Sequence, residues 1–384
     1  PVAWKDLFDM AGETTTAGSA VYRRRPPAAA DAPAVGHLAA AGMVALGKVN
    51  LSEFAYSGLG LNPHFGTPRA PWDRTGAGRV PGGSSSGAAV SVSDGMALAA
   101  IGTDTGGSCR IPAACCGVVG YKPTARRVPI AGVLPLSPTL DSVGPLANSV
   151  VCCAIVDAVI AGDAPAPPVP ASVAGLRLLV AENFFLDGLD EAVGVAFERA
   201  LAALSAAGAR IERGRLLVLE GAREANRNGG FSPPEAYAWH RDLLARRGAE
   251  YDPRVRARIE HGAAMAAHEY VALVAARARL RGEADTATAG FDAVLAPTMP
   301  IVPPRIEALA KDEGYLRANA LVLRNTFLVN FLDRCAISVP MHRPGEAPAG
   351  LMLIGETMGD ARLFAVAAAV ERVVRGQAAD QRNT

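Results

Sequence analysis

The sequence predicts an α/β fold, because short apolar runs alternate with segments of helical periodicity along the chain. Residues 41–47 and Leu176–Ala181 are two such runs, and each is typical of a buried strand. Apolar residues then recur at helical spacing through Leu189–Ala207, before Gly208–Ile211 returns to a strand pattern. A strand, a helix and a strand in this order are typical of a right-handed crossover unit. We therefore expect a sheet covered by helices.

Further elements are expected on both sides of this unit. Gly87–Val92 indicates the start of a helix. Residues 161–172 contain four prolines, which favour a surface connection over a helix or a central strand. Residues 235–285 show helical periodicity with balanced charges, which is typical of solvated helix faces rather than a nucleic-acid patch. Phe291–Thr298 predicts a buried strand, and Leu363–Val374 predicts a closing amphipathic helix.

The composition of the 384-residue chain is that of an ordinary soluble enzyme. Half of the residues are apolar, a fifth are charged and the formal net charge is +1. No global electric field therefore favours nucleic acid, an anionic membrane or an acidic substrate. The sequence contains no run of eighteen apolar residues and no recognisable signal peptide. These properties predict a cytoplasmic protein without a membrane partner.

The cysteines and histidines do not predict a metal site. The cysteines include two adjacent pairs but no C-x-x-C, so we expect reduced, buried residues rather than disulfides or zinc ligands. The histidines are scattered and form no H-x-x-x-H pair. We expect neither a metal nor an organic cofactor. The residues concerned are Cys109, Cys115, Cys116, Cys152, Cys153 and Cys335, with His37, His64, His240, His261, His268 and His342.

Two serine-rich turns with glycine hinges carry the most specific chemical signal. They span Gly82–Gly87 and Thr103–Ser108, joined by the predicted helix and a buried strand. Glycines let backbone N–H groups approach a ligand closely, so the second turn can present the Ser108 hydroxyl beside an anion pocket. A nucleophile and an oxyanion hole in one turn indicate a serine-based hydrolase.

Other interpretations of the first turn are weaker. Residues 83–87 match the G-x-S-x-G elbow of α/β-hydrolases, but that elbow needs a strand leading into the serine, and residues 71–81 have the signals of a loop. A phosphate-binding loop lacks the required Lys-Ser or Lys-Thr. A flexible turn without function explains an isolated match. Spacing alone leaves a Ser-His-Asp triad open, although no histidine lies in a motif that calls for one.

The match is not isolated, because residues 81–145 resemble the amidase signature family almost continuously. GGSSSGAAVSV is followed by AAIGTDTGGSCRIPAACCGVVGYKPTARRVP and LSPTLDSVGPLANS. PVAWKD, GKVNLSEFA, FDAVLAPTMP and PAGLMLIG resemble the family elsewhere, so the resemblance covers nearly the whole chain. It implies one domain over residues 1–384, with a large mixed β-sheet core flanked by α-helices on both faces. Residues 220–290 are then a helical region around the substrate pocket.

The resemblance also implies catalytic residues. Members of the family carry a Ser-cisSer-Lys triad, matched here by Ser108, Ser84 and Lys5, with Ser84 following a cis peptide bond. Burial disfavours a charged lysine, so Lys5 is expected to accept the proton that Ser84 relays from Ser108. The implied reaction cleaves a linear carboxamide to a carboxylate and ammonia or an amine through an acyl-enzyme on Ser108. The implied oxyanion hole consists of the backbone amides of Thr105, Gly106, Gly107 and Ser108.

Supporting residues are expected next to the two turns. Ser85 either holds its turn or donates to the triad, and the first role is favoured. Asp104 and Arg110 flank the nucleophile and are expected to pair beneath the turn. Asp141 is expected to fix a loop rather than to transfer a proton.

The substrate walls are expected in two regions, Val128–Leu136 and Asn226–His240. Exposed arginines are commonplace, so an acidic substrate bound by Arg126, Arg127 or Arg227 is the less favoured interpretation. The alternative is an aromatic or apolar wall, supplied by Gly229, Gly230, Phe231 and Tyr237.

The resemblance also leads to expectations about the length of the protein and about an alternative function. Family members usually have several helices before the lysine, whereas Pro1 lies four residues before Lys5, so we expect a further N-terminal segment. The alternative function is the glutamine-hydrolysing A subunit of a glutamyl-tRNA amidotransferase complex. The divergent region 220–290, the near-neutral charge and the end of the chain soon after Val374 favour a free-standing amidase with a small-molecule amide substrate.

Such an enzyme would have no direct nucleic-acid partner. Amidases of this kind often pair, so a homodimer is compatible with the resemblance. A noncatalytic binding relative is disfavoured, because all three triad residues are present.

Overall fold

A mixed β-sheet forms the centre of the protein. In the computed structural model, which describes residues 1–380, ten strands hydrogen-bond into this one sheet. The strands are β1 (Val2–Lys5), β2 (Ala45–Val49), β3 (Ala99–Thr103), β4 (Val119–Lys122), β5 (Val143–Ala147), β6 (Arg177–Ala181), β7 (Arg210–Gly214), β8 (Ala293–Pro297), β9 (Ala336–Pro340) and β10 (Gly350–Ile354). Their order in space is β2-β1-β3-β5-β4-β9-β10-β8-β6-β7.

Helices follow most of the strands, and the same described residues contain eleven α-helices. They are α1 (Pro33–Ala40), α2 (Ser86–Ser93), α3 (Arg110–Cys116), α4 (Val150–Ala161), α5 (Glu191–Ala206), α6 (Val218–Ala225), α7 (Ser232–Arg247), α8 (Pro253–Glu260), α9 (Ala267–Thr288), α10 (Asp312–Phe331) and α11 (Asp360–Asp380).

The helices cover both faces of the sheet, as predicted. Side chains alternate between the faces of a strand, so Trp4 packs into one core and Ala3 into another. The first core is completed by residues of α1, α4, α5 and α11. The opposite face is covered by α2, α3 and α10, and further along by α6 and α9. Both faces of the central strands are therefore buried, which explains why most of these strands are continuous apolar runs in the sequence, whereas the edge strands β2 and β7 are largely exposed.

The strand β1 lies between two parallel neighbours. It pairs with β2 on one side and with β3 on the other, and Trp4 is in register with Ile101. Parallel strands end at the same edge of the sheet, so Lys5 at the end of β1 lies beside Thr103 at the end of β3. The turn before α3 begins at this edge. The sheet thus brings the first residues of the chain to the second serine-rich turn.

Most predicted elements are confirmed, with shifts at their ends. The helix after the first turn, the crossover from β6 through α5 to β7, the strand β8 and the closing helix are all present. The strand predicted at residues 41–47 begins only at Ala45, because Ala41 and Gly42 form the turn that ends α1, with Gly42 at φ +80°. Gly208, at φ +93°, forms a turn in the same way, so β7 begins at Arg210. Residues 163–172 form no helix or strand.

The cysteines differ from the prediction at one position. Among the described residues all six are free thiols, and five are buried as expected, but Cys152 is exposed on α4. The buried partner of that adjacent pair is Cys153, because neighbouring positions on a helix point about 100° apart. In residues 1–380 no helix is long and apolar enough to cross a membrane. The same residues contain no cluster of three or more metal-binding side chains.

Candidate active site

The two serine-rich turns and the end of β1 meet at one place. The Lys5 Nζ donates to Ser84 Oγ at 2.7 Å and to Thr103 Oγ1 at 2.7 Å. The amide of Ser85 donates to the carbonyl of Ser108 at 3.3 Å, which joins the first turn to the second. Lys5 and Ser84 are fully buried beneath the site, whereas Ser108 lines a large cavity.

The first turn has the unusual backbone that the resemblance implied. The peptide bond between Gly83 and Ser84 is cis. The Gly83 amide donates to the carbonyl of Gly58 at 2.7 Å, and the carbonyl of Ser84 accepts from Ser52. A Cβ atom on Gly83 would lie 2.5 Å from the amide nitrogen of Gly60. Only glycine therefore fits before Ser84, because two backbone segments cross there.

Lys5 has the environment of a base. Burial lowers its pKa to about 8, although the nearby carboxylates of Asp104 and Asp141 act in the opposite direction. Within residues 1–380 it forms no ion pair, while Lys48 on the neighbouring strand pairs with Asp6 at 3.3 Å. A lysine with this pKa is partly neutral near neutral pH and has a lone pair available to accept a proton.

An ion pair lies beneath the second turn, as predicted for Asp104 and Arg110. The guanidinium of Arg110 contacts both carboxylate oxygens of Asp104, at 2.9 and 3.0 Å, and both side chains are fully buried. Asn330 of α10 also donates to Asp104, at 2.9 Å. Burial alone raises the pKa of Asp104, but Arg110, with help from Lys122 and Asn330, holds it well below its ordinary value. The carboxylate is thus ionised and anchors the turn.

One amide of the expected oxyanion hole has another partner. The N–H of Gly107 donates to Asp104 at 2.7 Å, so it points beneath the turn and away from a substrate. Gly107 has φ +127°, and a Cβ there would lie 2.2 Å from Thr326 Oγ1. Only glycine fits at position 107, because the turn packs closely against α10 there. The amides of Thr105, Gly106 and Ser108 form no hydrogen bond with any other described residue.

The side chains of Ser85 and Asp141 support the two turns. The Ser85 hydroxyl donates to the carbonyl of Thr103 at 3.3 Å and does not contact Lys5. Asp141 accepts the hydroxyl of Thr105 and the amides of Leu136 and Ser137, the first amide at 3.0 Å. Burial raises the pKa of Asp141 to about 6, against these hydrogen bonds. Its contacts are those of a residue that fixes a loop.

A cavity of about 830 Å³ opens beside Ser108. This volume is typical of a site for a small organic molecule. Both regions predicted from the sequence contribute to it, through Leu136 on one side and Gly229, Ser232 and Pro233 on the other. The remaining wall comes from α8, α10 and the segment before α2. It includes Tyr56, Asp252, Arg254, Arg258, His261, Asp312, Tyr315, Leu323 and Phe327.

The arginines considered from the sequence do not line this cavity. Arg126 pairs with Asp333 at 2.7 Å and Arg127 with Asp157 at 2.6 Å, while Arg227 pairs with Glu224 three residues away. Of the residues predicted for an aromatic or apolar wall, Gly229 lines the cavity, but Gly230, Phe231 and Tyr237 do not. Two arginines of α8 lie there instead. No sequence signal distinguished them from the other arginines of residues 235–285, because the distinction depends on where α8 packs.

Arg254 and Arg258 differ in their partners. Arg254 donates to Asp312 at 2.8 Å and stacks on Tyr315. The guanidinium of Arg258 stacks on the ring of Tyr56 at 4.6 Å, but its Nε is buried without a hydrogen-bond partner in the described part of the chain. The carboxylate of Asp252, also in the wall, caps α8 by accepting the amide of Arg254 at 2.9 Å. Arg258 is thus the arginine of the wall that has no anionic partner within residues 1–380.

Comparison with protein families gives a match over most of the chain. The family model described as amidase matches residues 1–364. Among curated proteins, the 2-amino-5-chloromuconic acid deaminase of Comamonas testosteroni is 37% identical over 378 residues, covering 97% of this chain and 81% of that protein. The A subunit of the glutamyl-tRNA(Gln) amidotransferase of Roseiflexus castenholzii is 36% identical over 409 residues, covering 97% and 82%.

Solved structures agree with this comparison. A crystal structure of an amidase superimposes with a TM-score of 0.87 at 33% identity, covering 97% of this chain and 84% of that chain. The A subunit of the glutamyl-tRNA(Gln) amidotransferase of Thermotoga maritima superimposes with a TM-score of 0.81 at 30% identity, covering 97% and 82%. Each of these proteins shares the mixed sheet and its helical layers.

Proposed function

Because the chain belongs to the amidase family and is a hydrolase of carbon–nitrogen bonds other than peptide bonds, we propose that Ser108 is its nucleophile, with Ser84 and Lys5 as the proton relay. The observation that carries this proposal is the buried Lys5 amine, 2.7 Å from Ser84 Oγ and without an ion-pair partner in residues 1–380. A serine hydroxyl is a weak nucleophile until a base takes its proton. A lysine with a lowered pKa supplies that base.

The proposed reaction has two halves. In the first, the Ser108 proton passes to Ser84 Oγ while the Ser84 proton passes to Lys5 Nζ, and Ser108 Oγ bonds to the amide carbon. The carbon–nitrogen bond then breaks, and the leaving nitrogen takes the proton back through the relay. In the second half, water loses a proton along the same path and attacks the ester. The products are a carboxylic acid and ammonia or an amine, and Ser108 is regenerated.

The developing oxyanion requires hydrogen-bond donors that are free before the reaction. We assign this role to the amides of Thr105, Gly106 and Ser108, all in residues that line the cavity. The Gly107 amide is left out, because it already donates to Asp104. Three fixed backbone donors are sufficient for an oxyanion hole, since each donor typically lowers the barrier by about 3 kcal/mol.

The cavity favours an amide that also carries a carboxylate. Arg258 provides a guanidinium that stacks on Tyr56 and has no anion among the described residues. A guanidinium binds a carboxylate through charge-assisted hydrogen bonds, so a carboxylate on the substrate would supply the anion that Arg258 lacks among these residues. Tyr56, Leu323 and Phe327 offer apolar surface for the rest of the molecule. The name of the Comamonas testosteroni relative, a deaminase of an acid, is consistent with this substrate class.

A second candidate is the A subunit of a glutamyl-tRNA(Gln) amidotransferase, because a relative with that name is 36% identical over 97% of this chain. Glutamine also carries a carboxylate, so Arg258 does not separate the two candidates. The two candidates are distinguished by whether activity depends on a partner protein. An isolated chain that hydrolyses small carboxylate-bearing amides at full rate supports the amidase, whereas activity that appears only with a co-purified second protein supports the other candidate.

The first test is ammonia release from aliphatic, aryl and glutamine-type amides by the wild-type chain and by Lys5→Ala, Ser84→Ala and Ser108→Ala. Loss of one member of such a catalytic unit lowers the rate by about 10⁴-fold or more. Lys48→Ala and Ser93→Ala are matched controls, because these side chains lie on β2 and α2 outside the relay. Full activity of Ser108→Ala would refute the proposal.

A cytoplasmic location, a homodimer and a single domain over the whole chain stay predictions. A chromatographic mass of the purified protein tests the homodimer directly.

A further inference from the structure

The segment 136–141 lies between the nucleophile turn and the helical wall of the cavity. On one side, the Asp141 carboxylate accepts the hydroxyl of Thr105 and the amides of Leu136 and Ser137. Thr105 is one of the proposed oxyanion donors, and Leu136 lines the cavity. The segment therefore contacts the nucleophile turn through a hydrogen bond and forms part of the cavity wall through the Leu136 side chain.

On the other side, the same segment is held by Glu235 of α7. Its carboxylate accepts the Ser137 hydroxyl at 2.6 Å and the Thr139 amide at 3.1 Å, together with the Thr139 hydroxyl. A fourth donor is the Tyr270 hydroxyl of α9, at 2.7 Å. Four donors from one loop and one helix converge on a carboxylate that forms no ion pair among residues 1–380. A solvated surface carboxylate would bind water instead, so four protein donors indicate that Glu235 has a structural task in this part of the site.

From these contacts we propose that Glu235 is a positioning residue for the second turn, Thr103–Ser108. Glu235 holds Ser137, Ser137 donates to Asp141, and Asp141 holds Thr105 of that turn. The inference rests on the proposed function, because it assumes that Ser108 attacks and that the Thr105 amide binds the oxyanion. Glu235 lies on the same helix as Ser232 and Pro233 of the cavity wall. A substrate that displaces α7 is therefore coupled to the turn on which the chemistry occurs.

The physical basis is the number of donors. A carboxylate accepts on both oxygens, so it binds three hydroxyls and an amide at once. Glutamine in its place has the same shape but presents an N–H₂ group to these donors. The glutamine oxygen can still accept the Thr139 amide, but its N–H₂ group then faces the hydroxyls of Thr139 and Tyr270, and all four bonds lose the charge of the carboxylate. The turn then shifts by a fraction of an ångström, which matters because oxyanion donors act only at about 2.7–3.1 Å.

The test uses phenylmethanesulfonyl fluoride, so that no knowledge of the natural amide is needed. Ser108 Oγ bonds to sulfur, fluoride leaves, and the serine proton passes to the relay. We expect the second-order labelling rate of Glu235→Gln to fall about 10-fold, part of the loss typical of an absent oxyanion donor. Glu283→Gln is the matched control, since Glu283 lies exposed on α9 and pairs with Arg279. Its labelling rate should equal that of the wild type.

The labelling rate separates a positioning role of Glu235 from a role in stability alone. Tyr270→Phe removes one donor and keeps the carboxylate, so it should fold and label about 3-fold more slowly, a loss of roughly 0.7 kcal/mol that is typical of one hydrogen bond. Wild-type labelling rates in folded Glu235→Gln and Tyr270→Phe would overturn the inference, whatever their melting temperatures. If the wild type is not labelled at Ser108, then the proposed function itself fails, which peptide mass spectrometry detects separately.

Discussion

Lys5 Nζ and Thr103 Oγ1 lie 2.7 Å apart at the ends of two adjacent parallel strands. The threonine hydroxyl accepts from the lysine, so it favours the charged form of Lys5 while burial opposes it. The balance of these two effects determines the pH at which the base becomes available.

Thr103→Val removes this acceptor and keeps the shape of the side chain. Loss of a hydrogen bond to a charged group is worth about 1.5 kcal/mol, or about one pKa unit. The charged form loses its partner, so the pKa of Lys5 falls further below about 8. The rise of kcat/KM with pH should move to lower pH by about one unit. The measurement is a pH–rate profile of both proteins, and an unchanged profile would contradict the predicted role of Thr103.

Asp104→Asn leaves the guanidinium of Arg110 buried without its anion. Breaking a buried ion pair typically costs about 3–5 kcal/mol. Asp94→Asn is the control, because Asp94 pairs at the surface with Arg74, and such pairs contribute about 0–1 kcal/mol. Urea unfolding at pH 7 compares the free energies of unfolding. Equal losses in both variants would show that burial of the Asp104 pair has no energetic effect.

Arg258→Met should weaken binding of amides that carry a carboxylate, while neutral amides are unaffected. A charge-assisted hydrogen bond is worth about 1.5–3 kcal/mol, which corresponds to an increase of about 10- to 100-fold in KM. Arg227→Met serves as the control, since Arg227 pairs with Glu224 outside the cavity. A similar rise in KM for neutral and anionic amides would remove the carboxylate from the proposed substrate class.

Gly107→Ala and Gly106→Ala test the close packing of the second turn. A Cβ at Gly107 would lie 2.2 Å from Thr326 Oγ1, whereas a Cβ at Gly106 would meet its nearest atom, in Phe327, at 3.4 Å. Gly107→Ala should lower kcat by about 100-fold or more, because the turn shifts and the oxyanion donors shift with it. Gly106→Ala should keep most of the activity. Steady-state kinetics measures kcat for the two variants. A larger loss of kcat in Gly106→Ala than in Gly107→Ala would refute the packing argument.

Local patterns predict the sheet and its helical covering, whereas the meeting of the two turns with Lys5 is predicted only by the resemblance to the family. The Gly107 amide shows where prediction from sequence ends. The four consecutive backbone amides of Thr105–Ser108 are equivalent in the sequence. Only the structure shows that the Asp104 carboxylate folds back and accepts the Gly107 amide, which removes that amide from the oxyanion hole. Arg258 and Glu235 are similar cases. Their significance depends on which helix faces the turn, and a single sequence with many arginines and glutamates contains no signal for that choice.

The pairing of β1 has a consequence for how the enzyme loses activity. Lys5 belongs to a strand rather than a flexible loop, and its backbone position is fixed by the pairing of β1 with β2 and β3. The outer edge of β2 has no partner strand among the described residues, and sheet edges open with a lower free energy than sheet centres. Fraying that starts at β2 therefore reaches the proposed base before the bulk of the protein unfolds. Heat inactivation should therefore precede the loss of secondary structure, which activity and circular dichroism of the same heated sample compare.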